Sequence, residues 1–123
     1  MNLIEITRAD EMHNFSNERA IEVARQIQLA EDEAERKAKE RLPYQIKAIQ
    51  DKIKEEANWG LKGADYEIYP KKNPTVWEGY ERNISIIREA FETAGYQIWY
   101  TARRPGYKYY ESGQTGYFTI SWR

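Results

Sequence analysis

Apolar residues in the first half of the chain recur at the spacing of an α-helix. One stripe, whose steps average the helical period of about 3.6 residues, consists of Ile21, Ala24, Ile27, Ala30, Ala34, Ala38, Leu42, Ile46, Ile49, Ile53 and Ala57. Ser16 is a suitable N-cap, and Gly60 stands where a left-handed residue commonly ends a helix. The pattern predicts a long helix over residues 16–58. A short helical turn before it would bring Met12 and Phe15 into the core.

Pro43 interrupts this predicted helix. Inside a helix, proline removes one amide donor and clashes with the carbonyl four residues earlier, which belongs to Lys39, at a cost of about 3 kcal/mol. Either one helix kinks at Pro43, or a first helix ends near Arg41 and a second begins with Pro43 in its first turn. The unbroken apolar stripe favours the kinked or closely stacked helix.

Three segments after the long helix have the alternation and β-forming residues of strands, namely residues 64–69, 96–102 and 116–122. The last two are predicted to pair as an antiparallel hairpin. Their connection, residues 103–115, is long for a hairpin and contains a proline and two glycines.

A second helix is predicted between the first two strands. Thr75 and Glu78 have the spacing of a capping box, and Ala94–Gly95 marks the end of the helix. The order α-β-α-β-β predicts an α+β fold, in which a small antiparallel sheet of about three strands packs on the second helix. A length of 123 residues fits one domain, 1–123, with the long helical segment followed by a compact part at 64–123.

Composition places the chain among globular proteins, with 41% hydrophobic, 32% charged and 14% aromatic residues. The net charge of −1 provides no global attraction to nucleic acid or to an anionic membrane, so nucleic-acid binding would need a local basic patch. No apolar run approaches the roughly 20 residues of a membrane span, and the first ten residues lack a signal-peptide core. We therefore expect no membrane association and a cytoplasmic location.

Catalytic and metal-binding motifs do not stand out in the sequence. The chain has no cysteine, which excludes a disulfide scaffold, a thiolate zinc site and a cysteine nucleophile. His13 is the only histidine, so a two-histidine zinc site cannot form. The carboxylates of residues 31–35 are interleaved with basic residues, as on a solvated helix face. We expect a non-enzymatic protein with no cofactor and no metal.

The C-terminal hairpin and its connection are unusually rich in aromatic and basic residues. One strand residue in two faces the core, so an inward set can be proposed that comprises Ile98, Tyr100, Phe118, Ile120 and Trp122. Trp99, Thr101 and Arg103 would then face outward together with Tyr117 and Thr119. The candidate binding residues are Trp99, Arg103, Arg104, Tyr107, Lys108, Tyr109 and Tyr117.

An exposed surface of this kind has several uses. Trp, Tyr and Arg are enriched in protein–protein hot spots, so a protein partner is one. Nucleotide or nucleic-acid binding is another, because rings stack on bases while arginines neutralise phosphate. Cross-strand pairing that only holds the sheet is a third. Separately, the narrow alanine-rich face of residues 30–38 suits either solvent or close approach of a helix from a second copy, which leaves a homodimer open.

Two segments resemble a recurrent pattern in small accessory proteins of bacteriophages and prophages. These are Phe91–Ile98, which reads FETAGYQI, and Phe118–Trp122, which reads FTISW; the turn Asn58–Gly60 fits the same group. The resemblance, a helix with an A-G-Y turn followed by two strands closing on I-S-W, covers about half of the chain. It implies a non-enzymatic phage protein that acts in the host cytoplasm. Such a protein would bind and inhibit or modulate a host factor, with bacterial defence components among the candidates, and no functional residue can be carried over.

Overall fold

The computed structural model describes residues 5–103 and 115–123. Its elements in chain order are helix α1 (Ala9–Asn58), strand β1 (Gly63–Ile68), helix α2 (Pro74–Trp77), a 3-10 turn (Tyr80–Asn83), helix α3 (Ile84–Thr93), and strands β2 (Gln97–Ala102) and β3 (Gly116–Ser121). The predicted α+β class, with a long N-terminal helix and a small antiparallel sheet, is confirmed. Within the described ranges, no helix is both long enough and apolar enough to cross a membrane.

The chain divides into two compact units, Met1–Ala34 and Glu35–Arg123. In the first unit α1 begins at Ala9, so Ser16 lies inside the helix and its prediction as the N-cap is wrong. Met12 and Phe15 are 49% and 57% exposed, so their prediction as core contacts is also wrong. The physical reason is that the described part of this unit contains no second element on which their side chains could pack.

Helix α1 continues through Pro43, which settles the open question in favour of a single helix. Pro43 leaves the carbonyl of Lys39 without its usual amide donor. Both residues are exposed, so water can hydrate that carbonyl. Ile49 and Ile53 are buried on the following turns, and their packing offsets the cost of the proline.

The end of α1 confirms the predicted role of Gly60, whose φ is 78°. The amide of Leu61 donates to the carbonyl of Glu56 at 3.2 Å, and the amide of Gly60 donates to that of Ala57 at 2.9 Å. This pair of bonds is a Schellman motif, which satisfies carbonyls that the helix end would otherwise leave open. Gly95 ends α3 in the same way.

The prediction of one helix over residues 75–94 is wrong, because the segment is divided into α2, the 3-10 turn and α3. Gly79 lies between α2 and the turn with a φ of 70°, a left-handed conformation that stops the helix. The break turns Tyr80 into the core, where its ring lies edge-on to that of Trp77 at 6.3 Å. Both side chains are 2% exposed.

The predicted capping box does not form. Helix α2 begins at Pro74 after Asn73, and Glu78 follows the helix in an extended conformation. Instead, both residues of the box contact Arg41 of α1: its Nε donates to the carbonyl of Thr75 at 3.0 Å, and its Nη2 lies 3.2 Å from the Glu78 carboxylate. A tertiary contact therefore engages the Glu78 carboxylate that the local cap would have used.

The sheet has the order β1-β3-β2, and both pairings are antiparallel. The predicted pairing of the last two strands is confirmed, with Ile98 opposite Ile120 and Tyr100 opposite Phe118. The inner side of the sheet packs on α1 and α3 through a cluster that includes Ile49, Ile53, Ile68, Ile87, Phe91, Ile98, Phe118 and Ile120. All of these core residues belong to the second unit.

Candidate contact surface

The sheet turns one of its two faces away from the core. Side chains alternate along each strand, and the buried ones belong to the inner side. The opposite side, which we call the outer face, carries Asp65, Glu67, Trp99, Thr101, Tyr117 and Thr119. Within the two hairpin strands, the predicted inward and outward sets are confirmed, with Ile98, Tyr100, Phe118 and Ile120 on the inner side and Trp99, Thr101, Tyr117 and Thr119 on the outer face.

Trp99 lies at the centre of the outer side of β2. Its side chain is 51% exposed, although tryptophan is one of the largest apolar residues. Its cross-strand neighbour is Thr119, and Asp65 follows in the same row on β1. No second aromatic ring lies opposite Trp99 in this row, so much of the indole remains in water.

Arg103 and Tyr117 form a cation–π pair on the outer face. The amide of Arg103 donates to the carbonyl of Thr115 at 2.9 Å, which continues the β2–β3 ladder by one step. Its guanidinium carbon lies 4.7 Å from the centre of the Tyr117 ring. The structure thus brings together two of the predicted binding residues, with Trp99 in the adjacent row of the same face.

Strand β1 adds an acidic margin to this surface. Glu67 is the neighbour of Tyr117 in the register, and its carboxylate accepts a hydrogen bond from the hydroxyl of Tyr69. That bond raises the pKa of Tyr69, and the positive charge of nearby Arg103 acts in the opposite direction. Carboxylates therefore lie beside the rings and the guanidinium.

A shallow groove of about 680 Å³ opens along one end of the outer face. Its lining includes Trp99 and charged groups of both signs, among them Asp65, Lys62 and Arg123. A site dedicated to phosphate would concentrate positive charge. The mixed charges of this groove are better suited to a polar partner that carries both signs.

A tyrosine pair on the inner side fixes the end of the hairpin. The hydroxyl of Tyr80 lies 2.6 Å from that of Tyr100 and 2.9 Å from Oγ1 of Thr115. Burial, and next the bond to Tyr80, raise the pKa of Tyr100 far above its ordinary value. These hydroxyls hold Thr115, and with it the main chain that pairs with Arg103, in a fixed position.

The sequence predicted only part of this surface. Arg104, Tyr107, Lys108 and Tyr109 lie outside the described residues. Sequence reasoning missed the β1 side chains Asp65, Glu67 and Tyr69, whose alternation in the segment ADYEIY signals a shared face. Their nearness to Tyr117 follows from the strand order, which that alternation does not specify.

No protein-family model, curated protein or solved structure matches the chain. Within residues 5–103 and 115–123, no group of three His, Asp or Glu side chains comes together that could hold a metal ion. What the outer face offers is an exposed indole, a guanidinium stacked on a phenol ring, and carboxylates beside them. Such groups recognise a partner by apolar contact and ion pairing.

Proposed function

We propose that the chain is a non-enzymatic binding protein whose outer sheet face contacts a protein partner. Trp99, Arg103 and Tyr117 supply the central contacts of this surface. Trp, Tyr and Arg dominate the small set of residues that contribute most to protein–protein affinity. Asp65 and Glu67 form a charged rim at one side, as is usual around such a centre.

The exposure of Trp99 on the same sheet face as the Arg103–Tyr117 pair is the observation that carries this proposal. A tryptophan stabilises a sheet best when its ring packs on a large cross-strand neighbour. Trp99 instead leaves 51% of its surface accessible beside a small neighbour, Thr119. A partner that covered the indole would remove this apolar surface from water.

The partner that we propose is a host protein, contacted in the host cytoplasm by an accessory protein of phage type. The resemblance of Phe91–Ile98 and Phe118–Trp122 to phage and prophage proteins supports this class of partner. On this proposal the chain inhibits or modulates its target by occupying a surface, and components of bacterial defence are among the targets to examine.

Nucleotide or nucleic-acid binding is the second function that the same face could support. The Arg103–Tyr117 pair favours it, because a guanidinium and a ring can engage phosphate and base together. Asp65 and Glu67 oppose it, because their carboxylates would repel phosphate. Asp65 lies in the same row of the sheet as Trp99, and Glu67 lies in the same row as Tyr117. The protein partner is therefore the better supported proposal.

Affinity capture from a bacterial lysate with a matched pair of tryptophan variants tests the proposal. Trp99→Ala removes the indole of the outer face, whereas Trp59→Ala removes an indole that is 80% exposed after the end of α1. We expect quantitative mass spectrometry to find a protein retained by the wild type and by Trp59→Ala. Its recovery with Trp99→Ala should fall by about tenfold or more, as for a hot-spot residue.

Two results would count against a protein partner. Equal recovery of every captured protein with Trp99→Ala and Trp59→Ala would remove the outer face from consideration. Binding of single-stranded DNA or a nucleotide that weakens steeply with added salt, and that also needs Trp99, would support the nucleic-acid function instead.

A further inference from the structure

Strand β2 forms one edge of the sheet. In the described part of the chain it pairs with β3 on one side, and no strand pairs with its other side. The amide of Arg103 donates to Thr115 of β3, and peptide groups alternate in direction along an antiparallel strand. The N–H and C=O groups of Ile98, Tyr100 and Ala102 therefore face away from β3, toward the open side.

The two edges of the sheet differ in how they discourage further pairing. Natural edge strands are usually protected by charged residues, proline or bulges. The opposite edge, β1, carries Asp65 and Glu67. Strand β2 reads QIWYTA, with no charge, no proline and no glycine, and it consists largely of β-forming residues. Its side chains at Gln97, Trp99, Thr101 and Ala102 are exposed.

We infer that β2 pairs antiparallel with β2 of a second copy of the chain, which joins two three-stranded sheets into one of six strands. The contact is related by a two-fold axis at Tyr100, so that Ile98 of one copy faces Ala102 of the other. This register engages all three outward-facing peptide groups of each strand. It also brings Trp99 of each copy opposite Thr101 of the other.

The charge pattern of the two edges favours pairing with a second copy at β2 over pairing at β1. A strand that pairs with itself about a two-fold axis places like side chains near each other, and like charges in opposition are destabilising. Strand β1 would bring Asp65 and Glu67 of the two copies together. Strand β2 has no charge to oppose its own copy, and Arg103 beyond it would face Gln97.

This inference is independent of the proposed function. The pairing involves main-chain N–H and C=O groups at the edge of β2, whereas the proposed partner contacts side chains of the outer face. The two outer faces would form one continuous surface with two sets of Trp99, Arg103 and Tyr117. Loss of self-pairing would leave the partner proposal standing. Loss of partner binding by Trp99→Ala would likewise leave the oligomeric state to be decided separately.

Sedimentation analysis with two lysine variants tests the pairing. Thr101→Lys introduces a charge on the exposed side of the edge strand, whereas Thr119→Lys introduces the same charge on the same face of the central strand. We expect wild type and Thr119→Lys to reach twice the monomer mass of 14.6 kDa as protein concentration rises. Dimerisation of Thr101→Lys should be weakened by about tenfold or more.

Cysteine cross-linking gives a second readout that does not depend on the lysine variants, because the chain has no cysteine of its own. A mixture of Trp99→Cys and Thr101→Cys chains should form a disulfide-linked pair. Residues 99 and 101 would face each other as a non-hydrogen-bonded pair, whose Cα atoms lie about 4.5 Å apart, within the range of a disulfide. Thr119→Cys is the control, because the two β3 strands that carry it would lie three strand spacings apart, about 14 Å. A monomer at every concentration, or equal cross-linking at position 119, would overturn the inference.

Discussion

At the scale of single residues, buried hydrogen bonds decide which polar side chains are structural. Nδ2 of Asn83 donates to the carbonyl of Ala38 at 2.8 Å and to Oε1 of Gln45 at 2.9 Å. Gln45 in turn donates to the carbonyl of Val76 at 2.8 Å. Asn83 is 2% exposed and Gln45 is 0% exposed, so water cannot replace these bonds. The network fixes α1 to the segment that follows β1.

Tyr100 yields a prediction on pH dependence. The fold raises its pKa, so the folded chain keeps the proton at a pH where the unfolded chain, with a pKa of about 10, loses it. Stability should therefore fall as pH rises above about 10. We expect Tyr100→Phe to show a shallower decline in the free energy of unfolding, measured by urea denaturation between neutral and alkaline pH.

The Tyr100→Phe variant should lose only part of the alkaline decline in stability. Tyr66, whose pKa is raised by burial, remains in the variant and leaves part of the alkaline decline in place. We expect Tyr80 to keep its bond to Thr115 in the variant, since that bond does not involve Tyr100. Parallel stability curves for wild type and Tyr100→Phe would show that Tyr100 titrates normally in the folded chain.

At the scale of secondary-structure elements, local sequence determines most clearly the helix ends at which a glycine takes a positive φ. At the end of α3 the amide of Tyr96 donates to the carbonyl of Phe91, and that of Gly95 to the carbonyl of Glu92, each at 3.0 Å. The rings of Phe91 and Tyr96 meet edge-on at 5.7 Å, which adds the apolar contact typical of this motif. The A-G-Y turn is thus explained by its own residues.

Gly95→Ala provides a test of this turn. Gly95 has a φ of 98°, a conformation that costs a residue with a Cβ atom about 1–2 kcal/mol. No heavy atom lies within 4 Å of the position of an added Cβ, so a steric clash does not contribute. We expect the free energy of unfolding, measured with urea, to fall by that amount.

Gly95→Asn is the matched control, because asparagine tolerates left-handed conformations better than alanine does. Its loss of stability should be the smaller of the two. If the alanine variant were as stable as the wild type, the backbone of this turn would not be under the proposed constraint.

Local signals predicted the elements only where no distant group competed with them. Gly60 ends α1 as its position indicated, and three strands lie within a residue or so of the predicted segments. The capping box at Thr75 and Glu78 failed because α2 already begins at Pro74, and because the Glu78 carboxylate pairs with Arg41, which is far away in sequence. Gly79 divides the segment predicted as one helix, because glycine adopts the left-handed turn that stops α2.

At the scale of the whole molecule, strand order determines what the outer face contains. Alternation along the hairpin correctly predicted that Trp99, Thr101, Tyr117 and Thr119 share one side. It could not predict that β1 pairs with β3, because that pairing depends on contacts between segments far apart in sequence. The acidic side of the surface therefore emerged only from the fold.

The most direct test of the outer face as a contact surface is hydroxyl-radical footprinting of the chain alone and in the complex captured from lysate. In the free chain, Trp99 and Trp59 should both be oxidised readily, because they are 51% and 80% exposed, whereas Trp77 at 2% should be protected. In the complex we expect Trp99 and Tyr117 to become several-fold less reactive while Trp59 stays unchanged. Undiminished oxidation of Trp99 in the complex would contradict the account.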